Sequence, residues 1–213
     1  MVIYVIMAII AYAIGSISFS VIISKKMAGY DIREKGSGNA GTTNMLRNLG
    51  KKAAAITLIC DILKGVVSIC IAIIVGKINK NLDSAILVQI AALAVVIGHT
   101  FPIFFGFKGG KGVATSLGVL LIVNWQIGLI CLVFAVILIA LTQMVSLGSI
   151  AAAILYPVLT IFIHEHYTVP GNPMSYIIFS ILIGVFICYN HRSNIKRLLN
   201  GTENKISFSK KAE

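Results

Sequence analysis

The residues best suited to chemistry lie in a short basic loop, Phe107-Lys108-Gly109-Gly110-Lys111-Gly112, between two apolar stretches. Glycines let backbone N–H groups approach an anion that a Cβ would keep away, and the two lysines add positive charge. The loop does not match the phosphate-binding pattern GxxxxGK[ST], but a helix beginning near Gly112 would point its positive end at it. The loop predicts a phosphate-binding site, with an inert hairpin as the alternative.

A second segment of the same character is Gly36-Ser37-Gly38-Asn39-Ala40-Gly41-Thr42-Thr43-Asn44, which Arg47 follows. Its small and hydroxyl-bearing residues offer backbone and side-chain donors, and an arginine can place two hydrogen bonds on one phosphate or carboxylate. A flexible re-entrant turn is the alternative. The arginine favours an anion site, with Ser37, Asn39, Asn44 and Arg47 as candidate ligands.

A third segment runs from Asn190 through His191 and Asn194 to Glu203. His191 and Asn194 are three residues apart, on one face of a helix at the membrane edge. Beside two anion-binding loops, His191 becomes a candidate for proton transfer or substrate orientation, although an isolated histidine there usually has no chemical role. His99, just before the glycine loop, and Ser149, at a helix end, complete the candidate set.

Asp61 and Lys64 lie one helical turn apart inside a long apolar run. Charges within a membrane are costly and must pair or face a wet cavity. We expect a structural ion pair, with the shaping of a polar pocket as the alternative.

The acidic residues are too few and too scattered for metal-assisted phosphoryl chemistry, which needs clustered oxygen ligands. They are Asp31, Glu34, Asp61, Asp83, Glu165, Glu203 and Glu213. We therefore predict neither a metal nor another cofactor. The run His164-Glu165-His166 is expected to be an interfacial loop, and no GxSxG sequence indicates a hydrolase-like serine.

The elements that must position these residues are membrane helices, because 58% of the residues are hydrophobic and only 12% are charged. We predict an all-α fold, a single bundle of seven transmembrane helices within one polytopic domain (1–213) that ends in a cytoplasmic tail (191–213). The predicted spans are 2–23, 53–75, 85–105, 113–124, 126–143, 146–163 and 175–191.

The basic residues orient this bundle. If the N-terminus is outside, fifteen of the eighteen lysines and arginines lie on the inner face, as the positive-inside rule requires. They fall in the segments 25–52, 108–111 and 192–211. Membrane orientation accounts for the net charge of +11, so no nucleic-acid partner is expected. The C-terminus and all three candidate segments are then cytoplasmic.

Three motifs in this order make the whole chain resemble the bacterial acyl-phosphate:glycerol-3-phosphate acyltransferases of phospholipid biosynthesis. They are GSGNAGTTNMLR (36–47), GHTFPIFFGFKGGKGVATS (98–116) and HRSNIKRLLNGTE (191–203). The resemblance implies transfer of a fatty acyl group from acyl phosphate to the sn-1 hydroxyl of glycerol 3-phosphate. The products would be 1-acyl-glycerol 3-phosphate (lysophosphatidate) and phosphate. It also implies seven helices in the bacterial inner or plasma membrane, with a cytoplasmic active face.

The resemblance assigns roles by motif position. Ser37 and Arg47 match essential positions of the first motif, although members often have alanine where Thr42 stands. Gly109, Gly110 and Gly112 match the glycerol-phosphate loop, and Lys108 or Lys111 supplies its charge. His191 and Asn194 match functional positions, and Glu203 matches a structural one.

Acyl phosphate is already activated, so we expect direct attack by the glycerol hydroxyl, with His191 or a substrate phosphate as the base. The alternative function is a transporter of phosphate esters or other organic anions, which would place polar residues on both faces and often repeats its halves. A CDP-alcohol phosphotransferase would need an aspartate cluster that the chain lacks. We expect a monomer.

Overall fold

The computed structural model describes residues 1–163 and 166–206, and every regular element in this part of the chain is helical. The helices are α1 (Val2–Gly15), α2 (Phe19–Ala28), α3 (Thr42–Ile78), α4 (Ser84–Thr100), α5 (Val113–Val123), α6 (Trp125–Thr142), α7 (Val145–Phe162), α8 (Pro173–Asn190) and α9 (Arg192–Leu199). Two single 3₁₀ turns lie at Ile32–Glu34 and Ile103–Phe105. Residues 164 and 165 of the predicted histidine loop and residues 207–213 of the tail lie outside the described residues.

Six helices in the described part are long and apolar enough to cross a membrane, with Val2–Ala28 taken as one span. The predicted span 113–124 corresponds to α5, whose eleven residues rise only about 16 Å. The ends of α5 nevertheless lie at opposite ends of the bundle. Lys111, just before α5, contacts Asn194 beyond the end of α8, whereas the Val123 carbonyl accepts from Thr168 N–H, before the start of α8, at 3.0 Å.

The predicted first span, 2–23, is not one continuous helix. Helical geometry stops at Gly15 and resumes at Phe19. The Lys64 ammonium donates to the carbonyls of Gly15 and Ile17, each at 3.1 Å. These bonds satisfy carbonyls at the break that would otherwise be unpaired in an apolar environment, and so stabilise it.

The residues Thr42–Arg47, which we predicted as part of a loop, form the first turns of α3. Gly41 begins this helix, and Gly50 interrupts it with φ 80° and ψ −175°. Such a positive φ strongly favours glycine, and the bend separates the first turns of α3 from the apolar part that follows. Met45 and Ala53 pack with Ile32 in a small core beneath the first motif.

The larger core surrounds α4, the most enclosed of the six long helices. Glycines let its neighbours approach closely: a Cβ on Gly98 would lie 2.3 Å from the Tyr12 carbonyl oxygen, and a Cβ on Gly15 would lie 2.2 Å from that of Val95. Close contact through small residues is how membrane helices commonly pack. On the outside, large apolar side chains such as Ile59 and Val136 are exposed, as expected of lipid-facing surfaces.

Candidate active site

The two glycine-rich motifs meet through backbone contacts. Ala40 N–H donates to the Gly109 carbonyl at 3.3 Å, and Asn39 Nδ2 lies 3.5 Å from the same oxygen. Arg33 crosses between the segments: its guanidinium bonds Asp31 through Nε at 2.9 Å and Nη2 at 2.8 Å, and it donates to the Lys108 carbonyl at 3.1 Å. The hydrogen bonds from Arg33 hold the pKa of Asp31 below its usual value, despite burial.

Asn44 holds the first motif in shape. Its Nδ2 donates to the carbonyls of Ile32, Lys35 and Asn39 at 3.0–3.1 Å, and its Oδ1 accepts from Ser37 N–H at 3.1 Å. The side chain is buried and occupied by these partners, so Asn44 organises the loop. Ser37 itself is exposed at the surface of this motif.

The glycine loop is bonded to the end of α4. Gly109 N–H donates to the Thr100 carbonyl and Gly110 N–H to the His99 carbonyl, each at 3.1 Å. A Cβ on Gly109 would lie 2.0 Å from the His99 oxygen, and one on Gly110 would lie 2.1 Å from His99 Nε2. These glycines therefore permit close packing. The N–H groups of Gly109 and Gly110 already have carbonyl partners, so the expectation that they approach an anion is wrong for these two glycines.

Lys111 reaches the third motif. Gly112, at φ 89°, begins α5, and the Lys111 ammonium beside it donates to Asn194 Oδ1. Burial, together with the positive charges of Arg197 and Arg47, lowers the pKa of Lys111 to about 8. The lysine is charged at neutral pH and loses that charge in mildly alkaline solution. The first helical turn beside it has backbone N–H groups without intrahelical partners.

Glu203 joins the remaining polar groups. Its Oε1 accepts from Asn194 Nδ2 at 2.8 Å and from Ser146 Oγ at 2.9 Å, and its Oε2 accepts from Arg197 Nε at 2.8 Å. Burial alone would raise the pKa of Glu203, but these hydrogen bonds and the arginine charge outweigh it and keep the pKa low. We call Lys111, Asn194, Glu203, Arg197 and Arg47 the inner cluster. Arg47 belongs to it through a bond to the Asn204 carbonyl at 3.1 Å and its charge near Lys111.

His191 lies at the junction of α8 and α9, where it is only 3% exposed. Its Nδ1 is 2.8 Å from the Ile187 carbonyl. A carbonyl oxygen can only accept, so Nδ1 carries the proton and Nε2 keeps a free lone pair. Burial and the nearby charge of Lys111 lower the pKa of His191 to about 4, which leaves the ring neutral at physiological pH.

A separate group of charges lies deeper, between α3 and α4. Asp61 Oδ1 is 2.9 Å from Lys64 Nζ and 3.5 Å from His99 Nδ1, and all three side chains are buried. We call Asp61, Lys64 and His99 the buried cluster. His99 is thus not at the surface of the inner face but behind the glycine loop.

The structure brings together Lys111, His191, Asn194, Glu203 and Arg47, and it joins Asn39 to the glycine loop through the Gly109 carbonyl. The Lys108 side chain is exposed, and its backbone carbonyl accepts from Arg33. The Ser149 hydroxyl donates to the Val145 carbonyl of its own helix at 2.9 Å. Sequence reasoning gave no role to Arg33 or Ser146. It placed Ser146 on the same face as the candidate Ser149, whereas nothing local distinguished Arg33 from the other arginines.

This arrangement suits an anionic substrate with a reactive hydroxyl. It offers several cations, a helix N-terminus and a neutral imidazole in one partly buried place. Within residues 1–163 and 166–206, no three His, Cys, Asp or Glu side chains gather as a metal site would require.

Comparison with known proteins gives one consistent result. A family model described as glycerol-3-phosphate acyltransferase matches residues 5–201. A protein of that name from Clostridioides difficile is 44% identical over 97% of each chain, and one from Thermoanaerobacter sp. (strain X514) is 46% identical over 93% of each.

Two solved structures also match. Both are of PlsY (YgiH), an integral membrane glycerol 3-phosphate acyltransferase. Its glycerol 3-phosphate form has a TM-score of 0.82 at 39% identity and covers 96% of both chains. Its lysophosphatidic acid form has a TM-score of 0.80 at 38% identity and covers 96% of this chain and 95% of the other.

Proposed function

The chain belongs to the glycerol-3-phosphate acyltransferase family and is an integral membrane enzyme of that kind, and we propose that its acyl donor is acyl phosphate. The reaction would join the fatty acyl group to the sn-1 hydroxyl of glycerol 3-phosphate, giving 1-acyl-glycerol 3-phosphate and phosphate. The solved forms of PlsY carry glycerol 3-phosphate and lysophosphatidic acid, which are an acceptor and a product of this kind.

One observation supports the position of the acceptor more than any other. The Lys111 ammonium is bonded to the neutral amide oxygen of Asn194, beside the start of α5 and near Arg47 and Arg197. An amide oxygen does not neutralise a cation, so this ammonium keeps its charge for a phosphate. We therefore place the glycerol 3-phosphate phosphate at Lys111 and Arg47. Gly109, Gly110 and Gly112 shape the loop, and Lys108 is the more exposed second cation.

The chemical step needs no covalent enzyme intermediate. The sn-1 hydroxyl oxygen attacks the acyl carbon, a tetrahedral oxyanion forms, and the bond from that carbon to the phosphate oxygen then breaks, so that phosphate leaves with the electron pair. Lys111 and Arg47 stabilise the negative charge, and holding both substrates together supplies proximity. Ser37 and Asn194 orient the groups, and Glu203 holds Asn194 in place.

The hydroxyl proton goes either to His191 Nε2 or to a substrate phosphate oxygen. The free lone pair on Nε2 supports the first route. Although the pKa of His191 is about 4 in the free protein, a bound phosphate would raise it, because negative charge favours the imidazolium.

We place the N-terminus outside and the inner cluster on the cytoplasmic face of the bacterial inner or plasma membrane. The distribution of basic residues supports this orientation. With α5 counted as a short crossing, the bundle has seven spans, which the contacts of α5 with both ends of the bundle support. Residues 1–213 would form one polytopic domain, active as a monomer, with 191–213 as its cytoplasmic tail.

The test is purified protein with a long-chain acyl phosphate and radiolabelled glycerol 3-phosphate, in the presence of EDTA, with acyl-CoA of the same chain as the control donor. We expect labelled lysophosphatidate and phosphate in equal amounts, from acyl phosphate alone. Product from acyl-CoA alone would contradict the proposed donor. Accumulation of glycerol 3-phosphate in proteoliposomes without product would instead favour the transporter. An acylated Ser37 formed during turnover would contradict direct attack by the glycerol hydroxyl.

A further inference from the structure

A continuous line of contacts leads from the middle of α3 to the glycine loop. It begins at the Asp61 carboxylate, passes to His99 Nδ1 at 3.5 Å, and continues on the other side of the imidazole ring, where Nε2 faces Gly110. The same residue, His99, also accepts the Gly110 N–H through its backbone carbonyl at 3.1 Å. His99 therefore contacts the loop through both its side chain and its main chain.

The fit at Gly110 is tight enough for the ring to determine where the loop lies. A Cβ on Gly110 would come within 2.1 Å of Nε2 and 2.8 Å of Cε1, so the ring lies directly against the glycine backbone. The neighbouring residue, Lys111, carries the ammonium of the inner cluster. A rotation of the His99 ring would displace the backbone that presents Lys111 and begins α5.

Asp61 is the partner that fixes this ring. Asp61 Oδ1 lies 3.5 Å from His99 Nδ1, an electrostatic contact without a hydrogen bond, and the negative charge favours the ring orientation that turns Nδ1 toward it. Lys64 compensates the carboxylate charge at 2.9 Å and is itself held by the Gly15 and Ile17 carbonyls at the break between α1 and α2. Three helices thus hold the Asp61 carboxylate in place. Burying these charges is costly, which favours a use beyond packing.

We propose that Asp61 and His99 are positioning residues for the acyltransfer site: Asp61 orients the His99 ring, and the ring sets the Gly109–Lys111 backbone so that Lys111 meets the phosphate of glycerol 3-phosphate. The proposal rests on the proposed role of Lys111 as a phosphate ligand. It assigns the ion pair of Asp61 and Lys64 a part in acceptor binding, in addition to its structural part.

The chain offers a matched control on the same helix. Gln89 is a polar residue of α4, 7% exposed like His99, and its Nε2 donates to Ser175 Oγ at 3.0 Å at the other end of the bundle. Replacing Gln89 removes a buried polar contact of α4 without touching the glycine loop. A general loosening of α4 would affect both positions, whereas the proposed mechanism involves only His99.

The experiment compares His99→Gln, Asp61→Asn, the double variant and Gln89→Leu as purified proteins, with kcat and both KM values measured and folding checked by thermal unfolding. We expect His99→Gln to raise the KM for glycerol 3-phosphate by about tenfold, with kcat and the KM for acyl phosphate changing less than about threefold, because misplacement weakens a binding contact. Because Asp61 acts through His99, the double variant should be no worse than His99→Gln alone. Gln89→Leu should leave the KM for glycerol 3-phosphate unchanged.

Three results would overturn the proposal: an unchanged KM for glycerol 3-phosphate in folded Asp61→Asn and His99→Gln, effects of the two substitutions that simply multiply, or an equal rise in Gln89→Leu. Asp61→Asn combined with Lys64→Met leaves no buried charge unpaired, so this pair of substitutions tests the loss of the Asp61 charge if His99→Gln or Asp61→Asn alone does not fold. Lys111→Ala separates the two hypotheses. If its KM is unchanged, the phosphate site itself is wrong; if its KM rises while those of the Asp61 and His99 variants do not, only the positioning role fails.

Discussion

The inner cluster and the buried cluster each contain a lysine, a carboxylate and a hydrogen-bonding partner, yet they differ in what holds the lysine. Lys64 bonds a carboxylate directly and two backbone carbonyls besides, so its charge is neutralised and its geometry fixed. Among the described residues Lys111 bonds a neutral amide, Asn194, and the carboxylate of Glu203 is reached only through that amide. A lysine whose partner is neutral keeps its charge for a ligand, whereas a directly paired lysine contributes to structure.

The largest effect should come from removing one member of the buried cluster. Lys64→Met leaves the Asp61 carboxylate unpaired in the bundle, and an uncompensated buried charge of this kind costs about 3–5 kcal/mol. Thermal unfolding in detergent should show a large fall in Tm, and the double variant Lys64→Met with Asp61→Asn should recover most of it. Equal Tm values for wild type and Lys64→Met would show that the pair is not closed to solvent.

In the inner cluster the corresponding change should affect activity and spare the fold. Lys111→Ala removes the charged contact that we propose with the substrate phosphate, worth about 2–3 kcal/mol, so kcat/KM for glycerol 3-phosphate should fall about 30- to 150-fold, mainly through KM. Lys111→Arg keeps the charge, so its kcat/KM for glycerol 3-phosphate should fall less than that of Lys111→Ala. Steady-state kinetics beside thermal unfolding will separate the two clusters. A Lys111→Ala protein with normal KM and a lowered Tm would show that Lys111, like Lys64, contributes to stability and not to substrate binding.

The pH dependence sharpens the contrast further. Since the pKa of Lys111 is lowered to about 8, its charge is present below that pH and lost as the pH rises through it. The value of kcat/KM should therefore fall on the alkaline side near pH 8, and Lys111→Arg should move this fall to higher pH. Glu203 raises the pKa of Lys111, so Glu203→Gln should move the fall to lower pH. Ser146→Ala, which keeps the carboxylate charge, is the control; identical profiles for all four proteins would contradict the assignment.

The smallest effect should come from an exposed pair. Lys25 Nζ lies 3.7 Å from Asp31 Oδ2, but the lysine side chain is 60% exposed and the aspartate is already bonded by Arg33. Lys25→Ala should change the free energy of unfolding by less than about 0.5 kcal/mol and leave KM unchanged. A loss of stability comparable to that of Lys64→Met would mean that solvent exposure does not determine how much these ion pairs stabilise the fold.

Much of the fold follows from local pattern. Long apolar runs predict seven spans, six of which are long apolar helices in the described part of the chain, and the spacing of Asp61 and Lys64 brings them together on one helical turn. The break after Gly15 was not predicted, because the residues that allow it are ordinary and the lysine that stabilises it lies on another helix. The helical start of the first motif, at Thr42, was missed because its glycines and asparagines are equally typical of a loop.

The site divides in the same way. Composition and motif order predict a cationic, phosphate-binding face, since residue types carry charge and hydrogen-bonding capacity wherever they lie. The pairing of Lys111 with Asn194, the bonding of the glycine N–H groups to α4 and the contact of His99 with Asp61 were decided only by the tertiary structure. Hydrophobic runs and charge act locally along the chain, whereas contacts between distant residues depend on how whole helices pack. That packing determines which lysine is bonded to a neutral amide and which is paired with a carboxylate within the fold.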